Sequence, residues 1–312
     1  MKIKVLGSAA GGGLPQWNCN CANCAAVRRG DPGITARTQS SLCISENDRD
    51  WVLLNASPDI LQQIRATPEL QPARALRDSG IVCALVTDAQ IDHTAGLLLL
   101  RERQTPLPLH ATPSVWAELR EGFPLGPMLS HYCGLDYREI PMNGRGFRIP
   151  GLPHTRFTAV PLSSAAPPYS PNRNRPAPDD NIGLLIENET SGAVVFYAPG
   201  LGQIDTPVRE AMAGADLLLI DGTFWQEDEM MRVGLSTKSA SDMGHLPQSG
   251  PTGMIAALGG LPDISGRAAA RQRKVLIHIN NTNPILRDDS PERRELDRHG
   301  IEVAVDGMTF CV

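Results

Sequence analysis

The stretch from Ile81 to Leu100 constrains this chain most. Ile81-Val-Cys-Ala-Leu-Val86 is a continuous apolar run rich in branched residues. That is the pattern of a strand buried on both faces, and such a strand needs a layer packed against each side. The polar cluster Asp88-Ala-Gln90-Ile-Asp92-His93 follows, and from His93 onward small residues give way to good helix formers. A carboxylate and an imidazole therefore stand together at the carboxyl end of a buried strand, where open α/β sheets collect ligands and catalytic groups. Asp92 and His93 either share a metal ion, or Asp92 caps the helix while His93 packs beside it.

Two more strands read the same way. Ala215-Asp-Leu-Leu-Leu-Ile-Asp221 ends in a carboxylate, and Lys274-Val-Leu-Ile-His278 ends in an imidazole followed by Ile-Asn-Asn-Thr-Asn-Pro284. Around them, residues 37–45 and 51–55 predict an antiparallel pair, as do 182–187 and 193–197. Residues 106–111, 157–162 and 302–306 predict further strands. Ala56-Ser-Pro-Asp59 predicts a capped helix to about Ala66, and Pro113 opens another. Met243-Gly-His245 predicts the start of a helix running to about Ala257, with His245 a candidate site residue. His110 and His131 have no partner at useful spacing and read as structural. Strands and helices alternate in two similar halves, which predicts an α/β protein of two facing sheets with helices outside. A chain of 312 residues is long enough for one large domain or two smaller ones.

Seven cysteines, an odd number, include Cys19, Cys21 and Cys24 within six residues of a loop. This suits a metal site in a reducing compartment better than a disulfide scaffold. Thiolates suit zinc, and a structural zinc takes four ligands. The fourth is left open between Cys311 and the polar run after His278. The glycine run Gly7-Ser-Ala-Ala-Gly-Gly-Gly13 has the wrong spacing for a nucleotide fingerprint and predicts close backbone approach to a site. The net charge of −5 carries no basic stripe, which argues against nucleic-acid binding. No apolar run is long enough for a membrane span, and the N-terminus does not read as a signal peptide, so a cytoplasmic protein is expected. Residues 163–180 predict a long proline-rich polar loop, of the kind that is a lid, a binding segment or disordered. Its Arg173 and Arg175 either pair with substrate carboxylates or are simply solvated.

The stretch 88–93 resembles the H-x-H-x-D-H motif of the metallo-β-lactamase superfamily, with Asp88 and Gln90 in place of the first two histidines. His278 resembles that superfamily's last metal ligand. The bridging aspartate expected near 197–200 and the histidine expected near 162–164 are absent, which puts a two-metal hydrolase in doubt. The whole chain is similar to the coenzyme PQQ (pyrroloquinoline quinone) synthesis protein B family. The motifs that carry this are 7–13, the Cys19/Cys21/Cys24 cluster, 87–98, 164–171, 221–225, 243–247 and 278–284.

The resemblance implies one metallo-β-lactamase-like domain over 1–312, a four-layer αββα sandwich, working in PQQ biosynthesis. It implies structural Zn2+ at the cysteines and Fe2+, or Zn2+ as purified, held by Asp92, His93 and His278. The implied activity is oxidation by dioxygen of a cross-linked glutamate–tyrosine precursor. His245 would join the catalytic set, and Ser164, Tyr169, Arg173 and Asp221 would meet substrate. A carrier that helps move PQQ or its precursor toward the periplasm is the alternative, and a one-zinc hydrolase is a third reading. Partners implied are the small-molecule precursor or PQQ and other proteins of the pathway; a homodimer is compatible.

Overall fold

The computed structural model describes residues 1–261 and 272–312. Its strands are β1 (Lys2–Gly7), β2 (Ser41–Ser45), β3 (Trp51–Leu54), β4 (Ile81–Leu85), β5 (Leu107–Ala111), β6 (Leu135–Glu139), β7 (Phe147–Ile149) and β8 (Leu152–Pro161). They continue as β9 (Ile182–Asn188), β10 (Val194–Ala198), β11 (Leu217–Asp221), β12 (Arg273–Ile277), β13 (Ile301–Val303) and β14 (Thr309–Cys311). Among the described residues they form two seven-stranded mixed sheets, β14-β1-β2-β3-β4-β5-β6 and β13-β12-β11-β10-β9-β8-β7. Each sheet starts with antiparallel pairings and ends with parallel ones, β3 to β6 in the first and β10 to β13 in the second. Parallel neighbours need a crossover. Helices supply these crossovers, among them Ile60–Ala66 before β4, Thr206–Gly214 before β11 and Pro291–Arg298 before β13.

The two-faced burial read from the sequence has a direct cause. Cys83 and Leu85 of β4 belong to an apolar cluster shared with the other sheet, which also holds Leu217, Leu219, Val275 and Ile277. Ile81 and Ala84 point outward, under Ile60 and Leu97. Likewise Leu218, Ile220 and Leu276 face Met212 and Met254 outside the second sheet. Helix, sheet, sheet and helix make four layers, and a period-two strand is apolar at every position because both faces are covered.

The carboxyl ends of β4, β11 and β12 converge on one edge. There the sheets are stitched together by backbone hydrogen bonds: Ile279 N to the Ser8 carbonyl and Ala10 N to the Ile279 carbonyl, each 2.9 Å, and Ile182 N to the Thr87 carbonyl, also 2.9 Å. The helix predicted from Met243 to Ala257 is shorter than expected. Gly244, at φ 83°, and Gly250, at φ 93°, turn the backbone left-handed, so the regular helix covers only Met254–Gly259 and His245 lies in a loop. The strand expected over 302–306 ends at Val303, because Asp306 is spent on the chain near β1: its carboxylate accepts from Ser8 N, Ser8 Oγ, Thr38 N and Thr38 Oγ1. No helix of the described residues is long and apolar enough to cross a membrane.

Candidate metal centre

Asp92, His93 and His278 each offer a ligand atom within 4.8 Å of the others. Asp92 and His93 sit in the single α-helical turn Ile91–Thr94 that follows β4. Gln90 is the N-cap and no side chain caps the helix, so Asp92 is free of the capping role. Its Oδ2 lies 3.3 Å from His278 Nε2 and 3.8 Å from His93 Nε2. His278 follows β12 with φ 56°, a left-handed conformation that a residue with a side chain adopts at a cost of order 1 kcal/mol. Gly11 brings the backbone against the carboxylate: a Cβ there would stand 3.2 Å from Asp92 Oδ2. The glycine run serves close approach, as expected.

Each imidazole is held from behind. His93 Nδ1 is 2.8 Å from Asp88 Oδ2, so the residue standing at the superfamily's first histidine position orients its neighbour. His93 Nε2 is buried with no hydrogen-bond partner. An orphaned ring nitrogen facing a carboxylate and a second imidazole is the arrangement a metal ion would complete. His278 Nδ1 donates to Thr223 Oγ1 at 2.9 Å, and that hydroxyl donates to Asp221 Oδ1 at 2.5 Å. His245 Nδ1 donates to Asp221 Oδ2 at 2.6 Å. Asp221 is fully buried and also accepts from Leu201 N and Thr223 N, each at 2.8 Å. It therefore stands behind the two histidines, out of substrate reach, which corrects the substrate-contact role expected of it.

Charge follows this geometry. Burial alone would raise the Asp92 carboxyl, yet His93 and His278 hold it well below the usual carboxylate range. Burial works against a proton on His93, but Asp88 and Asp92 raise it to about 9. On His245 burial is likewise overcome, by Asp221, and its pKa is raised.

The site opens on a cavity of ≈ 400 Å³. Ser164, Arg173 and His245 line it, as do Gln90, Phe224 and Asn280 from stretches the sequence singled out, together with Asn181 and Lys238, which sequence reasoning missed. The signal that existed was Lys238, one of only four lysines in the chain. Tyr169 and Arg175 are not among the lining residues. The Tyr169 hydroxyl donates to the Ala89 carbonyl, and Arg175 donates to Asn172 Oδ1 at 2.6 Å within its own loop. The loop is pinned elsewhere too: Ser170 Oγ donates to the buried Glu118 Oε1 at 2.5 Å, and Thr112 Oγ1 to the Asp179 carbonyl at 2.6 Å. Tyr169 is one of these pins, because its ring is needed to bridge the loop to the turn before Asp92.

Cys19, Cys21 and Cys24 form a second cluster, their sulfurs also within 4.8 Å of one another. Cys311 is exposed on the edge strand β14, opposite Lys2, and takes no part in it. The polar run after His278 does reach the thiols.

A thiol cluster and a histidine–carboxylate centre, the latter with Asp221 and His245 also grouped around His278, invite comparison with known proteins. Residues 50–279 match the β-lactamase superfamily domain. Coenzyme PQQ synthesis protein B of Azoarcus sp. (strain BH72) is 58% identical over 312 residues, 100% of both chains. The chain belongs to the coenzyme PQQ synthesis protein B family. The Cupriavidus necator member is 58% identical over 310 residues, 99% of each chain. The crystal structure of Zn2+-bound PqqB from Methylobacterium extorquens superposes with a TM-score of 0.88 at 37% identity, covering 100% of each chain. A diphosphatase of the PhnP family shares the fold, with a TM-score of 0.67 at 17% identity over 99% of this chain and 96% of that one. The metallo-β-lactamase sandwich of this family is the architecture described above.

Proposed function

We propose that this chain is a cytoplasmic, metal-dependent hydroxylase of PQQ biosynthesis. It uses dioxygen and Fe2+ at Asp92, His93 and His278 to oxidise the tyrosine ring of a cross-linked glutamate–tyrosine precursor, and it carries structural Zn2+ at its thiols. The observation that carries this reading is the buried, unpartnered Nε2 of His93, aimed with His278 Nε2 at Asp92. Two imidazoles and one carboxylate fit Fe2+: Asp92, His93 and His278 would hold the ion, which when bound would supply the activation of dioxygen beside the substrate. One oxygen atom enters the ring as a hydroxyl and the other leaves as water, with two electrons and two protons from an external two-electron reductant.

The protein's own groups have separable tasks. Asp88 and Thr223 fix the two ligand imidazoles so that each presents Nε2 inward. Arg173 and Lys238 put cationic side chains on the cavity wall, where they meet the carboxylates of a glutamate-derived substrate. His245, backed by Asp221, faces the cavity and exchanges a proton with the phenolic oxygen. Ser164 lies against the Gly244 turn that carries His245 and offers a hydroxyl to the substrate.

The test is to load the protein with iron anaerobically, add precursor and reductant, and admit dioxygen. Dioxygen uptake matched to ring-hydroxylated product is expected. Uptake without product, or tight binding of finished PQQ with no uptake at all, overturns the hydroxylase reading, and the second result makes the chain a carrier.

A further inference from the structure

The zinc expected at Cys19, Cys21 and Cys24 needs a fourth ligand, and the geometry of the thiols points to one residue. The side-chain amide of Asn281 reaches all three sulfurs: its terminal nitrogen lies 3.1 Å from Cys19 Sγ, 3.6 Å from Cys21 Sγ and 3.3 Å from Cys24 Sγ. In a tetrahedral zinc site with three sulfurs and one oxygen, the oxygen stands about 3.5 Å from each sulfur, from ordinary zinc–sulfur and zinc–oxygen bond lengths. The amide terminus therefore occupies the fourth apex. A half-turn about its last side-chain bond exchanges Nδ2 for Oδ1 at that point without moving the backbone.

Neighbouring groups are engaged elsewhere. The Asn281 carbonyl accepts from Asn23 Nδ2 at 3.0 Å and meets only Cys21 among the thiols, at 3.6 Å. Asn280 turns to Thr282 Oγ1, 2.6 Å away. Asn283 donates to the Gly222 carbonyl at 3.0 Å and to Gln248 Oε1 at 3.1 Å. Asn281 is itself 3% exposed, so water does not compete freely for the apex.

We infer that Asn281 completes the thiolate zinc site through its amide oxygen. The ion then staples the N-terminal cysteine loop to the segment that carries His278, three residues upstream. This rests on the proposal that the thiols hold zinc, and the experiment separates the two. In full-length protein carrying His93→Ala and His245→Ala, which takes a ligand from each of the other metal-capable groups so that the thiol site alone reports, zinc affinity is read by chelator competition. Cys24→Ser must lose that zinc; if it does not, the thiol-zinc reading itself falls.

Given that loss, Asn281→Ala weakens zinc by at least about tenfold, since even groups outside the ligand shell are worth that much. Asn281→Asp keeps the shape and the oxygen but has no N–H to offer the thiolates. It holds zinc at least as tightly as Asn281 does if oxygen is the ligand. It falls with Asn281→Ala if the amide only donates hydrogen bonds, and that result overturns the inference. Zinc-edge X-ray absorption gives an independent reading: Asn281→Cys raises the sulfur count from three to four, whereas a count that stays at three places residue 281 off the apex.

Discussion

The thiol cluster and the cluster of Asp92, His93 and His278 differ in how they are built. The thiol cluster draws its sulfurs from six consecutive residues, Cys19 to Cys24, and is covered by a buried asparagine. The Asp92, His93 and His278 cluster is assembled across two sheets, from residues 186 positions apart. It leaves one ring nitrogen unpartnered and faces a cavity. Closed metal sites hold structure, whereas sites with room left over do chemistry. The two are nonetheless joined, because His278 and Asn281 lie on one short segment.

The largest expected effect attacks only the open cluster. On the hydroxylase function proposed above, His93→Ala lowers dioxygen-dependent turnover by at least about a hundredfold, more than the loss of an orienting partner, and leaves zinc held by the thiols in place. Metal analysis showing that both ions are lost would break the contrast. Next, if the thiols hold zinc as proposed, Cys24→Ser destabilises the fold by at least about 3 kcal/mol, a fraction of the roughly 10–16 kcal/mol that binding at a structural zinc supplies to folding. Thermal unfolding with and without added zinc measures it.

Asp221→Asn comes third. It weakens metal binding at the open cluster, or turnover, about ten- to a hundredfold with no change at the thiols. It also removes the charge that raises the His245 pKa, so the His245 limb of the rate profile moves to lower pH. An unmoved profile would detach His245 from proton transfer.

The smallest effect sharpens the link between the clusters. Glu229 accepts from Trp225 N at 2.6 Å and from Thr282 Oγ1, next to Asn281. Burial raises its carboxyl to about 7, from an ordinary 4.5. A raised acid favours the folded state while protonated, so this contribution is whole below about pH 4.5 and is lost as pH climbs through 7. Glu229→Gln does not suffer that loss. Relative to the parent it gains about 2 kcal/mol between pH 5 and pH 8, as 1.36 kcal/mol per pKa unit requires; denaturant melts at the two pH values measure it.

Much of this was legible in the chain. The runs ending at Val86, Asp221 and His278 announced strands covered on both faces, because Leu217 to Ile220 alternate between two cores that are both apolar. The thiol cluster was legible because its spacing is local. Residues acting at a distance were not. Nothing local distinguishes Asn281 from Asn280 or Asn283, and their opposite orientations depend on how β12 meets the cysteine loop. Asp221 reads as a strand-end carboxylate, and only the fold turns it away from the cavity. The helix predicted over 243–257 shrinks to its last turn and a half because Gly244 and Gly250 turn the backbone left-handed.

Asp88 carries one last consequence. At a position where the superfamily uses a histidine, it bonds directly to His93 Nδ1, whereas His278 reaches its carboxylate, Asp221, only through the hydroxyl of Thr223. An imidazole leaning on a carboxylate is the more electron-rich donor. A redox-active ion held by His93, as proposed, would therefore be easier to oxidise, and the exchange of one side chain would trade a coordination seat for a lower reduction potential.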